Sequence, residues 1–171
     1  MINGCAEQFQ LKASCDGVCE IDNLYLIGDA QGENMTASFA AYQARAVMNR
    51  ILYGKEFINK LIPTVVQITP AIATIGLKEQ DVDLFDGFEI KKISLSTILK
   101  PWCDNFADGM VKVILKDDVI VGAHVVCEAA SEIISIFTVL IDKKIKISEI
   151  EDMIFPYPSY AQAILEVIKS E

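Results

Sequence analysis

The cysteines and the single histidine are the side chains in this sequence best suited to metal binding or redox chemistry. Of the five cysteines, only Cys15 and Cys19 lie close together, and His124 is the only histidine. A structural zinc site needs four ligands, which two thiols and one distant imidazole do not supply. We therefore expect no metal site and favour two reduced thiols in a loop. A thiol-based metal-binding module is the alternative, which elemental analysis of bound metal would test.

The single histidine and the single tryptophan each have two interpretations. His124 lies among apolar residues in a stretch of β-strand pattern, which favours a hydrogen-bonded core role over catalysis. Trp102 follows Pro101 in a segment, residues 96–107, that is predicted to be a loop. We expect Trp102 to be the buried anchor of that loop, with a substrate or partner contact as the alternative.

A short stretch near residue 28 has the pattern of a ligand-binding strand, turn and helix. The apolar run Leu24–Ile27 predicts a buried strand that ends at Gly28-Asp29, and a polar loop follows. Thr36 is a good N-cap for an alanine-rich helix that extends to Tyr53 and ends at Gly54. The free N–H groups at the start of this helix and the carboxylate of Asp29 are expected to face the same side.

This stretch resembles the second flavin-contacting segment of the FAD-dependent pyridine nucleotide-disulfide oxidoreductases. The resemblance implies that the Gly28-Asp29 turn contacts FAD, with Asp29 holding the ribityl chain. It also implies that Met35, Thr36 and Ala37 lie beside the flavin ring. For the short motif taken alone, a strand, turn and helix of some other α/β protein is the alternative.

The C-terminal tail contains a modified form of the acid/base motif of that family. Most members have a His-Pro-Thr sequence and a glutamate five residues after the histidine, and this pair serves the active thiol of the other subunit. Here Tyr157 and Gln162 occupy those two positions, and they are our candidate catalytic residues in a degenerate form. A tyrosine, with an ordinary pKa near 10, stays protonated at neutral pH and acts mainly as a hydrogen-bond donor. A plain interface aromatic is an equal alternative for Tyr157.

The sequence after Gly54 predicts an α+β fold, an antiparallel sheet of four or five strands with helices packed on it. Alternating and β-branched residues predict strands at 64–69, 71–77, 88–95, 110–115 and 119–126. The residues Lys116-Asp117-Asp118 predict a hairpin between the last two. Helical spacing predicts short helices at 79–85 and 148–153, a longer helix after Ala129, and a last helix at 160–168. The stretches 62–79 and 122–134 resemble the dimerisation domain of the same family.

The predicted organisation is therefore two parts. Residues 1–56 resemble the C-terminal end of an FAD-binding domain, and residues 57–171 resemble a dimerisation domain. No Gly-x-Gly-x-x-Gly sequence is present, although a complete dinucleotide-binding fold needs that phosphate-binding turn. We expect a fragment whose missing N-terminal FAD and NAD domains belong to the same polypeptide.

Composition excludes several other classes of function. The net charge is −9 and the pI is about 4.6, whereas nucleic acids and anionic membranes attract basic proteins. No apolar run approaches the roughly 18 residues that a membrane span needs. An odd number of scattered cysteines without a secretory signal predicts a cytoplasmic protein with reduced thiols.

Together these features predict the C-terminal part of a flavoprotein NAD(P)H:disulfide oxidoreductase that forms homodimers, similar to dihydrolipoamide dehydrogenase. The resemblance implies FAD and NAD(P)H as cofactors of the whole enzyme, whereas this chain alone is expected to bind neither and to be inactive. Two alternatives stay open: a non-enzymatic dimerisation module, and a flavin reductase with a non-disulfide acceptor. The tail also resembles that of mercuric reductases, but it lacks their terminal cysteine pair.

Overall fold

The computed structural model describes residues 11–14, 16–32, 34–58, 60–82 and 86–170. The chain divides into two compact units, one ending at Lys60 and one beginning at Leu61. Cys15 of the predicted thiol pair lies outside the described residues, and so do the last residues of the helix predicted at 79–85. The described start of that helix is a single 3-10 turn, Glu79–Asp81.

The first unit is organised around one long helix, α1, which spans Ala37–Tyr53. Its N-cap is Thr36, whose side chain accepts a hydrogen bond from the backbone N–H of Phe39 at 3.3 Å. It ends at Gly54, which has a φ of 64° and closes the last turn, as left-handed glycines commonly do. The helix and both of its predicted boundaries are therefore confirmed.

The strand predicted at Leu24–Ile27 is wrong. Within the described ranges, this stretch makes one β-bridge, between Tyr25 and Val18, with backbone hydrogen bonds from the N–H of Leu26 to Gly17 and from the N–H of Cys19 to Leu24. A single bridge is shorter than the ladder of hydrogen bonds that holds a strand. The turn that follows is a 3-10 helix, Gly28–Gln31, rather than an irregular loop.

The second unit contains a five-stranded antiparallel sheet with the strand order β1-β2-β5-β4-β3. The predicted sheet is confirmed, with slightly different strand ends. The strands are β1 (Thr64–Val66), β2 (Ala71–Gly76), β3 (Phe88–Ser94), β4 (Met110–Lys116) and β5 (Val119–Cys127). The central strand β5 pairs with β2 on one side and with β4 on the other.

The hairpin between β4 and β5 is also confirmed. Asp117 and Asp118 form its two-residue turn with φ values of 51° and 65°. Positive φ at both positions is what a type I′ turn requires, and its twist matches that of the flanking strands. The two aspartates therefore connect the strands without breaking the ladder, which shifts register only between Ile114 and Leu115.

Helices cover one face of the sheet. Helix α3 packs on β2 and β5, and helix α5 packs on β3 and β4. The covered face is almost entirely apolar, and it meets apolar helix residues such as Ile133, Phe137, Ile164 and Val167. The helices of this unit are α2 (Leu99–Cys103), α3 (Ala130–Asp142), α4 (Ile147–Glu151) and α5 (Gln162–Lys169).

Lys91 is the exception on the helix-covered face. It pairs with the buried Val113 in the sheet, and its side chain is only 16% exposed. Its ammonium group donates to the backbone oxygens of Ile168 and Ser170, at 3.1 and 2.7 Å. These carbonyls at the end of α5 have no N–H partner within the helix, so Lys91 caps the helix. The carbonyl oxygens in turn stabilise the positive charge of the lysine.

The segment predicted to be a loop at residues 96–107 contains the short helix α2 instead. Trp102 lies on this helix and is 58% exposed, with its indole N–H donating to the oxygen of Ser96 at 2.9 Å. The prediction of a buried tryptophan anchor is therefore wrong. Leu95, Ile98 and Pro101 are buried here instead.

Replacing Phe137 by alanine is expected to lower the free energy of unfolding by about 3–5 kcal/mol, because the ring is completely buried and its loss leaves a cavity. Val139→Ala on the same helix is the control, since Val139 is 55% exposed and its loss should cost less than about 0.5 kcal/mol. Urea unfolding followed by circular dichroism measures both. Equal losses in the two variants would contradict the assigned packing face.

Candidate functional site

The Gly28 turn packs closely against α1. Gly28 has a φ of 61°, a conformation that side chains disfavour. A Cβ atom added to it would lie 2.9 Å from the Cβ of Ala40, so a larger residue would push the turn away from the helix. Glycine at 28 and a small residue at 40 thus permit the close approach of turn and helix.

Asp29 follows this glycine in the 3-10 helix and has an exposed side chain. Its backbone oxygen accepts the N–H of Gly32 at 3.1 Å, which closes the turn. A carboxylate accepts hydrogen bonds, so the side chain of Asp29 can bind donors such as the hydroxyl groups of a ligand.

The other predicted flavin contacts lie at the start of α1. Met35 is 58% exposed, and Ala37 is exposed as well. The hydroxyl of Thr36 accepts from the backbone of Phe39, so its first role is to cap the helix. All of the predicted contacts, from Gly28 to Ala37, therefore belong to the first unit.

Sequence reasoning missed Gln43, a residue of α1 that is completely buried. Its side-chain oxygen accepts the backbone N–H of Gly28 at 2.7 Å. The sequence contains one signal for this role, since Phe39, Gln43 and Val47 recur at intervals of four and all three are buried. A glutamine on the apolar stripe of a helix must find a polar partner inside the protein.

The candidate acid/base residues lie around the start of α5, where Tyr157 precedes the helix and Gln162 is its first residue. Tyr157 is 69% exposed. The side-chain oxygen of Gln162 accepts the backbone N–H of Ser159 at 3.3 Å, which ties it to the preceding turn. Burial and the Asp104 carboxylate raise the pKa of the neighbouring Tyr160 to about 12, so that phenol stays protonated at neutral pH.

His124 makes structural contacts. It lies between Thr74 and Lys112 in the sheet, and its Nε2 is 3.1 Å from the backbone oxygen of Leu77. Lys112 is paired with Glu79 at 2.7 Å. Burial lowers the pKa of His124 from its ordinary value, and Lys112 adds to this effect, while the Leu77 carbonyl and Glu79 oppose it. The hydrogen bond agrees with the role predicted for His124, but its side chain is only half-buried and lies outside the apolar core, so the predicted core position is wrong.

The described cysteines show no shared site. Cys19 and Cys127 are buried, whereas Cys103 is exposed. Burial raises the pKa of the Cys127 thiol to about 11, which makes it a poor nucleophile. Within the described ranges, no cluster of three or more potential metal-binding side chains occurs.

Among the described residues, no helix is both long enough and apolar enough to cross a bilayer.

Comparison with known proteins gives a family match that coincides with the second unit. The family described as "Pyridine nucleotide-disulphide oxidoreductase, dimerisation domain" matches residues 62–168, more than half of the chain. The matched range contains the whole five-stranded sheet and helices α2 to α4.

Two curated relatives align with nearly the whole chain. Dihydrolipoyl dehydrogenase of Mycoplasma pneumoniae is 28% identical over 170 residues, which cover 95% of this chain and 37% of the relative. Soluble pyridine nucleotide transhydrogenase of Vibrio cholerae is 26% identical over 162 residues, covering 90% of this chain and 35% of the relative. The chain thus spans little more than a third of the length of these proteins.

A solved structure has the same fold. The HOCl-induced flavoprotein disulfide reductase RclA from Escherichia coli superimposes with a TM-score of 0.84 over 91% of this chain and 37% of that chain. The sequence identity is 20%, so this likeness concerns the fold alone.

Lowering the pH from about 7.5 to about 5.5 is expected to decrease the free energy of unfolding through His124. Its pKa is lower in the folded protein than in the unfolded chain, so the unfolded chain takes up the proton first. Stability then falls as the pH drops through the unfolded value toward the folded one. Urea unfolding at several pH values in this range measures the effect, and His124→Gln should reduce the slope of the free energy of unfolding against pH. An unchanged slope in that variant would contradict the role assigned to His124.

Proposed function

Because the chain belongs to the pyridine nucleotide-disulphide oxidoreductase dimerisation-domain family, we propose that it is the C-terminal part of an FAD-dependent NAD(P)H oxidoreductase. Residues 57–171 are its dimerisation domain, and residues 1–56 are the end of its FAD-binding domain. The observation that carries this proposal is the family match over residues 62–168. The alignments that extend through the first unit support the second assignment, since they cover up to 95% of the chain.

The residues of the first unit fit the flavin contact proposed for them. Asp29 has an exposed carboxylate that can accept the hydroxyl hydrogens of a ribityl chain, and Gly28 lets the turn approach the helix. Met35 and Thr36 directly precede a 17-residue helix that begins at Ala37, and the positive dipole end of this helix favours negative charge on a reduced flavin ring. When bound, FAD would transfer electrons from NAD(P)H to an acceptor.

The acceptor is a disulfide or another oxidised molecule. In this proposal Tyr157 is a hydrogen-bond donor at the subunit boundary, and Gln162 holds the turn of Ser159 in place. Neither side chain exchanges a proton readily near neutral pH. A flavin reductase with a non-disulfide acceptor is the less favoured alternative, and its support is one relative that is named as a soluble pyridine nucleotide transhydrogenase.

Homodimer formation is the main role proposed for this chain. The tail preceding α5 exposes large apolar side chains, with Ile154 97% exposed and Tyr157 69% exposed. Exposure of two large apolar side chains only three residues apart in the sequence is unfavourable, and burial against a second copy of the chain would remove this apolar surface from water. A dimerisation module without enzymatic function is the less favoured alternative, because the relatives align with the flavin-contacting segment as well.

The purified chain is expected to be a dimer, with about twice the 18.9 kDa mass of one chain, when measured by size exclusion with light scattering. Ile154→Asp should yield a monomer, because it places a charge in the proposed apolar interface. Ile51→Asp is the matched control, since Ile51 is also exposed but lies in the first unit. A monomeric wild type, or a dimer that Ile154→Asp leaves intact, would contradict the proposed interface.

The chain alone is expected to show no steady oxidation of NADH or NADPH in the presence of added FAD and a disulfide. It contains neither a Gly-x-Gly-x-x-Gly turn nor a Cys-x4-Cys pair. Absorbance at the nicotinamide band follows the reaction. Turnover that depends on the chain would refute the assignment of the nicotinamide and redox-disulfide sites to other parts of the enzyme.

A further inference from the structure

Gln43 is unusual among the described residues because it alone is both polar and completely buried. An amide that leaves water without finding hydrogen bonds destabilises a protein, so its partners explain its presence. Its side-chain oxygen lies 2.7 Å from the backbone nitrogen of Gly28, and its side-chain nitrogen lies 2.7 Å from the side-chain oxygen of Gln31. The side chain therefore joins the middle of α1 to both ends of the Gly28–Gln31 turn.

The direction of each hydrogen bond in this network follows from the first. The backbone N–H of Gly28 can only donate, so the oxygen of the Gln43 amide must face it. The NH₂ group of Gln43 then donates to the oxygen of Gln31. The NH₂ group of Gln31 is left to donate to the backbone oxygens of Leu26 and Ser14, at 2.9 and 3.0 Å. These four hydrogen bonds are consistent in direction, and a buried network is stable when its donors meet acceptors in this way.

Two residues of α1, one turn apart, thus hold the same glycine. Ala40 limits how closely Gly28 can approach the helix, and Gln43 fixes the orientation of its N–H group. Glycine has the greatest conformational freedom of any residue, and Gly28 already has a positive φ. The N–H of Gly28 belongs to the Ile27–Gly28 peptide, so Gln43 holds the peptide plane that enters the turn, and the φ and ψ of Gly28 then set where the next residue, Asp29, lies.

We infer that Gln43 is a positioning residue, which orients the Gly28-Asp29 turn so that the Asp29 carboxylate meets the ribityl chain of FAD. This inference rests on the proposed function, because it takes the flavin contact of Asp29 from there. Gln43 itself is buried behind the turn and touches Gly28 rather than the ligand. Its effect on FAD therefore passes through the backbone of the turn.

Amide hydrogen exchange of the 171-residue chain, resolved by nuclear magnetic resonance, tests the structural half of the inference. The N–H of Gly28 should be protected in the wild type. In Gln43→Met, which keeps the volume but removes the acceptor, it should exchange about tenfold faster relative to the core of the sheet. A Gly28 amide that exchanges in the wild type like an exposed one would overturn the inference, whether or not any variant folds.

Two further variants separate positioning from general stability. Gln43→Glu keeps an acceptor for Gly28 but buries an acidic group, so it should lower stability while largely preserving the protection of Gly28. Val47→Ala, one turn further along the same buried stripe, should lower stability through a cavity and leave the relative protection of Gly28 unchanged. If the exchange protection of the Gly28 N–H fell in proportion to the free energy of unfolding in all three variants, Gln43 would be a packing residue only.

Titration of the complete enzyme polypeptide with FAD, followed by flavin fluorescence, tests the functional half. We expect the dissociation constant to rise about tenfold in Gln43→Met and to stay within about twofold of wild type in Gln43→Glu and Val47→Ala. A wild type that binds no FAD would refute the proposed function. A wild type that binds FAD, with Gln43→Met binding equally well, would refute this inference alone.

Discussion

The second unit depends on the pairing of β5 on both of its sides. This nine-residue strand is hydrogen-bonded to β2 and β4, and through them it holds the edge strands β1 and β3 in place. Four of its residues that face the helices, Ala123, Val125, Cys127 and Ile120, are almost completely buried. Because the side chains of a strand alternate, a shift of one residue would move all of them to the open face. The packing of α3 and α5 therefore depends on this one register.

The first unit depends on a polar contact instead. Its described part has no sheet, and α1 buries few large residues, so apolar packing alone places weak limits on the turn at Gly28. The amide of Gln43 supplies a directional limit, because a hydrogen bond fixes an angle as well as a distance. The second unit is thus stabilised by an apolar layer between its sheet and helices, whereas the turn of the first unit is fixed by a buried hydrogen-bond network.

The tail is ordered by a local hydrogen bond. The side-chain oxygen of Gln162 accepts the backbone N–H of Ser159, which holds the turn that leads into α5. An amide makes this bond without transferring a proton near neutral pH, unlike a histidine or a glutamate. The proposal that Tyr157 and Gln162 stand at the positions of an acid/base motif therefore implies a tail that keeps its local structure without proton transfer.

Local patterns in the sequence specified the elements that depend on neighbouring residues. The strands of the sheet, the Asp117-Asp118 hairpin, and the limits of α1 at Thr36 and Gly54 follow from alternation, turn chemistry and capping. The tertiary structure decided what depends on distant residues. It gave Leu24–Ile27 a single β-bridge among the described residues in place of a strand ladder, placed Trp102 at the surface, and buried Gln43 against Gly28. Pairing, burial and hydrogen bonding between residues far apart in the chain are set by the folded arrangement, which a local pattern does not contain.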